Sequence, residues 1–254
     1  MAVELDYQIR DNYATESLKK FAKVYKAYQS IVQENGYAAI ASTCWPKFRA
    51  ELGMVPCAAF GRLNDELVPT ACEGDVYSAL SMLALKYIAN YTPILMDLSD
   101  VDFEDNSVFL WHCGVGSKAY AKKKLDLEQH FNPGPFSQEK GWQIMAPVSS
   151  MEFRAEHATI MRFTEEGEKM LLAEGDFIDG KLSHDGSRGW IGNLTLSGDK
   201  VDVRTLVSTI MTHGFHHHYP LVYGAYTAEM LELGYWMDIR PLDRIEYKDY
   251  NGCR

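Results

Sequence analysis

The stretch VPTACEGDVYSALSMLALKYIANYTPILMD, residues 68–97, constrains the fold more than any other part of the chain. An apolar run ends at Glu73-Gly74-Asp75, a helical pattern with an almost wholly apolar inner face covers residues 76–90, and Pro93 opens a second apolar run, ILMDL. Short apolar runs bounded by turn residues read as buried strands, and a helix between two of them is the repeating unit of an α/β sheet. Asp75 falls where the helix needs an N-cap. Upstream, Leu18, Phe21, Val24, Tyr25, Tyr28, Ile31 and Val32 share one face of a helix over residues 13–34, stopped by Asn35-Gly36. YAAIAST, residues 37–43, gives another buried strand before Cys44-Trp45-Pro46. Shorter helices are expected over residues 47–52 and 56–65.

After about Asp100 the texture changes. SVFLWHC, WQIMAPVSS, ATIMRF and EKMLLAEG read as strands between Gly, Asp and Pro turns, and residues 176–189 as a loop-rich segment. A last unit runs from Val203 through the histidine cluster HGFHHH into a helix over 226–233 and a closing strand near 236–239. The expectation is an α/β protein: an open α/β sheet segment over residues 1–102, carrying Glu73 and Asp97, then a β-rich, barrel-like C-terminal domain over 103–254 with the histidine cluster and a final helix.

With 254 residues, 46% of them hydrophobic, the chain can bury a substantial core. Its formal charge of −10 argues against nucleic acid as a partner and suits neutral or metal-bound small molecules. The basic run Lys122-Lys123-Lys124 reads as a solvated helix face. No apolar segment reaches the ~18 residues of a membrane-spanning helix, and the start MAVELDYQIRDN is polar and acidic where a signal peptide is expected to be basic and then apolar. Five cysteines, an odd number with no C-x-x-C spacing, suit a reduced, cytoplasmic compartment and give poor support to a cysteine zinc site. Cys44 and Cys72 lie in apolar surroundings and are expected to be buried and inert.

Three groups stand at strand ends, where an open α/β sheet presents ligands. Glu73 and Asp97 are one strand–helix–strand step apart, so adjacent strands would put both carboxylates at one sheet edge. The third is the cluster from His213 to His218. Two carboxylates and an imidazole suit a divalent ion such as Mn2+. Each residue also has a purely structural role open to it: Glu73 as a solvated or capping acid, Asp75 as a helix cap, His112 as a hydrogen-bonded core histidine. Trp45 and Trp190, each beside a turn, are placed to stack on a ligand.

The order of these motifs is similar to that of a known family. CWPKF…CAAFGRLNDELVPTACEGDVYSAL, residues 44–80, resembles the core of the L-fucose isomerase and L-arabinose isomerase superfamily. ILMDL resembles its next strand, LWHCGVG a following histidine-bearing strand, and GFHHHY its late paired-histidine motif. The resemblance implies an aldose–ketose isomerase acting on a sugar such as L-fucose or L-arabinose through an enediol, with Mn2+ or another divalent ion held by Glu73, Asp97 and His217. It leaves His216 and His218 open as the ligand, lets His213 fit under another alignment, and makes His112 a further site residue. Glu73 and Asp97 would also move the proton. Members of that family are longer and complete their sites with a neighbour's N-terminal region, which implies a homo-oligomer or a partner supplying that region. A fragment of a longer isomerase, a non-catalytic sugar-binding or regulatory relative, and a zinc hydrolase using the histidines are the competing readings.

Overall fold

The computed structural model describes residues 8–9, 15–123, 126–129, 147–181 and 184–248. In chain order its elements are β1 (Gln8–Ile9), α1 (Thr15–Asn35), β2 (Ile40–Ala41), a π-helical turn (Phe48–Leu52), α2 (Cys57–Asp65), β3 (Thr70–Ala71), α3 (Val76–Ala89), β4 (Ile94–Asp102) and β5 (Ser107–His112). A 3-10 turn (Lys118–Tyr120), β6 (Asp126–Gln129), β7 (Pro147–Glu152), β8 (His157–Phe163), β9 (Lys169–Ile178), β10 (Ser187–Leu196) and β11 (Asp199–Lys200) follow. The chain then forms α4 (Val203–Thr212), β12 (His218–Tyr223), α5 (Thr227–Met237) and β13 (Arg240–Pro241).

The fold is mixed α/β, built on an 11-stranded sheet in the order β1-β6-β7-β10-β5-β4-β12-β8-β9-β13, with β11 on β10. Because β10 also pairs with β9, six strands follow one another round a circuit, β10-β5-β4-β12-β8-β9. Strands β7, β6 and β1 continue from β10 as an open arm outside that circuit, so the sheet as a whole is not a single closed barrel. The expected open α/β sheet segment shrinks to β2 and β3, a separate parallel pair. ILMDL does not join it. Ile94, Leu95 and Met96 are buried in succession, so β4 needs cover on both faces and a neighbour on each edge. It finds its neighbours in β5 and β12. The pairing of β4 with β5, from Asp97 opposite Trp111 to Asp102 opposite Ser107, spans the position of the expected boundary at 102/103.

Helix α3 carries the link between the two sheets. Asp75 caps its first turn, accepting the Ser78 N–H at 2.8 Å, and Asn90 ends it in the left-handed conformation at φ 47°. Ala79, Met82 and Leu85 form its buried apolar face. Ser81 Oγ donates to Tyr77 O at 2.6 Å and accepts the Phe163 N–H at 3.0 Å, fastening α3 to the end of β8. Helix α5 has no side-chain cap of its own. Glu174 of β9 substitutes: its Oε1 accepts the Tyr226 and Thr227 N–H groups at 2.9 Å each, satisfying two of the donors a helix start leaves open.

Several local expectations are corrected. The histidine cluster does not enter the last helix. His213 ends α4, a helix the sequence reading passed over, and His218 opens strand β12. The last helix runs on to Met237, so Trp236 is helical rather than part of a closing strand. Gly234 permits this, since a Cβ there would lie 2.5 Å from Ile239 O; Asp238 at φ 57° then turns the chain into β13. Lys122 and Lys123 sit in a bend, not on a helix face, and Lys122 pairs with Asp179 and Glu152. Lys124, Cys253 and the first half of WQIMAPVSS lie outside the described residues. Among the described residues no helix is long and apolar enough to cross a membrane.

Met82, on the inner face of α3, is fully buried. Met82→Ala is expected to lower unfolding free energy by about 2–5 kcal/mol through lost burial and the cavity left behind, measured by denaturant titration.

Candidate functional site

The turn from β3 to α3 places two acids on different sides of a buried histidine. Cys72 is buried; Glu73 and Gly74 then both take left-handed conformations, at φ 59° and 73°. Gly74 suits its place, because a Cβ would stand 2.9 Å from Thr43 Oγ1 on a backbone L residues disfavour. Glu73 holds the same conformation against a cost of about 1–2 kcal/mol, and the result is a carboxylate turned out of the strand line. Asp75, two residues on, points inward.

Asp75 is the hub. Its Oδ2 accepts hydrogen bonds from Arg162 Nη1 at 2.5 Å, from Ser78 Oγ at 2.8 Å and from His218 Nδ1 at 2.8 Å; Arg162 Nη2 reaches Oδ1 at 3.3 Å. Arg162, on β8, is 2% exposed. Burial alone would raise the Asp75 carboxyl, but hydrogen bonds from His218, Arg162 and the Ser78 N–H outweigh it and hold the group well below the ordinary carboxylate range. The sequence reading saw Asp75 as a cap and nothing more. It is a cap, and it also fixes the imidazole of His218.

That bond settles the tautomer. With Nδ1–H donating to Asp75, the lone pair of His218 sits on Nε2. Nε2 lies 3.5 Å from Asp97 Oδ1 and 3.6 Å from Glu73 Oε2. His218 Nε2 and Asp97 Oδ1 are both buried with no hydrogen-bond partner. Strand register explains their meeting, since His218 on β12 is directly opposite Asp97 on β4. Each carboxylate therefore reaches His218 Nε2 by its own route, Asp97 through the register of β12 on β4 and Glu73 from the turn before α3, rather than both through adjacent strands β3 and β4. Burial would lower the His218 pKa, yet the Asp75 hydrogen bond and the charges of Asp97 and Glu73 raise it. The point between these three side chains thus favours positive charge.

The other predicted residues fall at graded distances from this centre. His217 is exposed, with its ring 4.3 Å from that of His218, and forms with Glu73 and His218 a group whose ligand atoms lie within 4.8 Å of one another. His112 is buried, its ring 6.4 Å from that of His218. Its Nδ1 accepts the Cys113 N–H at 2.9 Å, so the proton rests on Nε2, a buried donor without a partner. His216 pairs with Glu165 at 2.6 Å, and His213 Nε2 meets Asp243 O at 2.9 Å. Trp190 is buried on β10, packed against Phe109 at 5.1 Å with Lys181 Nζ 3.7 Å over its ring. Trp45 is exposed at the start of the turn that leads to the π-helical segment Phe48–Leu52. Cys44 and Cys72 are buried as expected, their sulfurs 2.9 Å apart.

Sequence reasoning missed Arg162. The signal available was an arginine inside the apolar run ATIMRF, a position that demands a buried acid as partner.

No family model matches the chain. Among proteins of assigned function it is similar to the sulfoquinovose isomerase of Alkalicoccus urumqiensis, 30% identical over 235 residues, 91% of this chain and 49% of that protein. The sulfoquinovose isomerases of Priestia aryabhattai (29% over 232 residues; 90% and 49%) and Clostridium sp. (strain MSTE9) (27% over 227 residues; 88% and 48%) are also similar. These relatives are sugar isomerases. The chain spans about half the length of the curated relatives it matches.

Removing the Asp75 charge leaves Arg162 buried and unpaired. Asp75→Asn keeps a competent cap yet is expected to destabilise the fold by about 3–5 kcal/mol. Adding Arg162→Met in the same chain should restore a large part of that loss, a coupling read from a double-mutant cycle in denaturant.

Proposed function

We propose that this chain carries the catalytic centre of a metal-dependent aldose–ketose isomerase, with Glu73, Asp97 and His218 as the metal ligands. The observation that carries the reading is the pair of buried, unpartnered atoms, His218 Nε2 and Asp97 Oδ1, facing each other beside the Glu73 carboxylate. Separations of 3.5–3.6 Å are too long for hydrogen bonds. Each suits a donor that shares an ion with His218 Nε2, since cis ligands at about 2.1 Å from a six-coordinate cation stand roughly 3 Å apart, and His217 stands with Glu73 and His218 in the group whose ligand atoms all lie within 4.8 Å of one another. Two carboxylates and one imidazole match Mn2+ or a similar ion that prefers oxygen donors and keeps open positions. His218 replaces His217 as the preferred ligand: it is buried, its tautomer is fixed, and it faces both acids. The similarity to sulfoquinovose isomerases supports the reaction class.

Aldose–ketose interconversion moves one proton between C1 and C2 and another between O1 and O2, through an enediol. A bound divalent ion would polarise the carbonyl and stabilise the developing negative charge. The chain's own groups do the rest. Glu73, turned out on its left-handed backbone and half-exposed, reaches the open side of the centre as base and then acid for the carbon proton. Asp97, largely buried, would hold the ion through the carboxylate oxygen that has no other partner. The Nε2–H of His112 donates to a sugar oxygen, which gives that buried donor its missing partner. Asp75 and Arg162 hold His218 in place without touching the substrate.

Sulfoquinovose is the first sugar to test, because the relatives carry that name; L-fucose and L-arabinose follow from the motif resemblance. The second reading is a sugar-binding relative without turnover, or a fragment whose walls come from elsewhere. It is kept because the chain spans about half of each relative.

Mn2+ titration by calorimetry should show one site per chain. His218→Ala is expected to weaken it by more than the roughly 10–100-fold typical of an outer-shell partner, and His217→Ala by less than about tenfold. Absence of binding, or the reverse ranking, overturns the ligand assignment. In a coupled assay on sulfoquinovose, L-fucose and L-arabinose with Mn2+, Glu73→Gln should reduce turnover by at least about 10²–10⁴-fold; a wild-type chain that binds Mn2+ but turns over no sugar favours the second reading.

A further inference from the structure

Four thiols run through the core behind the candidate site. Cys57 opens α2, Cys72 directly precedes Glu73, and both are buried with Cys44, while Cys113, next to His112, is partly exposed. Cys44 and Cys72 have sulfurs 2.9 Å apart, Cys72 also meets Cys57, and Cys57 Sγ lies 3.6 Å from Cys113 Sγ. At the end of the run Cys113 Sγ stands 3.3 Å from His112 Nδ1, the atom that already accepts the Cys113 N–H. Because the proton of His112 rests on Nε2, its Nδ1 lone pair can also take the thiol S–H. A single buried cysteine is an ordinary core residue. Cys113 differs, having a second thiol on one side and an imidazole lone pair on the other, the surroundings in which a cysteine can be oxidised and resolved.

We propose that Cys113 and Cys57 form a peroxide-sensitive dithiol whose closure to a disulfide disarms His112. Cys113 is the point of entry, since the other three thiols are buried, and Cys57 is the thiol in contact with it. Its hydrogen bond with Cys57 and its burial push the Cys113 thiol well above its ordinary pKa, so it does not wait as a thiolate. His112 Nδ1 supplies the base, taking the thiol proton as sulfur attacks. In that step the S–O bond forms while the O–O bond of hydrogen peroxide breaks, and the proton passes to the leaving oxygen. The products are a Cys113 sulfenic acid and water. Cys57 sulfur then attacks the sulfenic sulfur, the S–O bond breaks, and hydroxide leaves as water with the Cys57 proton. Two electrons have passed from the two thiols to the peroxide, and an external dithiol returns them. The sulfurs close from 3.6 Å to about 2.05 Å, which draws Cys113 towards α2 and removes the S–H donor from Nδ1. His112 then loses one of the two donors that fix its ring, and its Nε2–H no longer meets the sugar oxygen. The hydrogen bond from His218 to Asp75 plays no part in this. The effect on turnover rests on the proposed isomerase mechanism; the dithiol chemistry does not.

The full chain is treated with hydrogen peroxide, its remaining thiols are alkylated, and the digest is mapped by mass spectrometry. A peptide pair bridged between Cys57 and Cys113 is expected, and it should disappear after dithiothreitol. Cys57→Ser and, separately, Cys57→Ala should leave Cys113 as a sulfenic acid that dimedone captures. An unaltered chain whose bridge joins other cysteines, or whose Cys113 stays a thiol, overturns the proposal. Variants in which dimedone labels no Cys113 overturn it as well. The second arm reads the site. Turnover of the bridged chain with Mn2+ should fall by about 10²–10³-fold, the cost of one pre-placed donor, and return with dithiothreitol, which does not reverse methionine oxidation. Mn2+ affinity by calorimetry should change by less than about tenfold. Full turnover in the bridged chain separates the dithiol from His112 and also overturns the proposal. A chain that turns over no sugar in either form sinks the isomerase reading instead, and the peptide map alone then decides this one.

Discussion

The buried pair of Arg162 and Asp75 is the constraint on which the rest of the centre depends. A guanidinium 2% exposed in a β-strand cannot stand alone, and the only way to neutralise it without breaking the sheet is to bring a carboxylate to it from another element. The start of α3 supplies that carboxylate. The same oxygen that receives Arg162 receives His218, so one atom ties α3, β8 and β12 together. Helix capping, charge neutralisation and imidazole orientation are therefore not separable here.

The arrangement also sorts three acids by task. Asp75 is saturated with donors and stays ionised as a structural anchor. Asp97 is buried with an oxygen left open, and Glu73 is half-exposed on a strained backbone. A carboxylate whose hydrogen-bonding capacity is used up cannot serve a ligand, whereas one held in place with an oxygen free is ready to accept a cation.

How much of this was legible in the sequence follows from the range of the forces involved. Helices α1, α2 and α3 and the cap at Asp75 were readable because periodicity and capping are local. Glu73 and Asp97 were readable as acids at strand ends, but the route by which each comes to His218 Nε2 was not. Nothing within ILMDL says that its partners are a strand ten residues on and another more than a hundred residues on. Which of His216, His217 and His218 turns inward was not legible for the same reason, because it depends on where β12 starts to pair. Arg162 was overlooked because its partner lies 87 residues away, and a buried charge is interpretable only as half of a pair.

The register of β12 against β4 has a consequence for how such a chain can change over time. Alternate residues of a strand face opposite sides, so a slip of one position would carry His218 away from Asp97 and Asp75 and bring His217 or Tyr219 to the centre instead. Insertion or loss of a single residue in the pairing between residues 94–97 and 218–221 is therefore far more damaging than most substitutions there. A two-residue change restores the facing but displaces the imidazole by some 7 Å along the strand. Length is frozen in that short ladder, while the turn at 103–106 at the far end of β4 can lengthen without moving the centre.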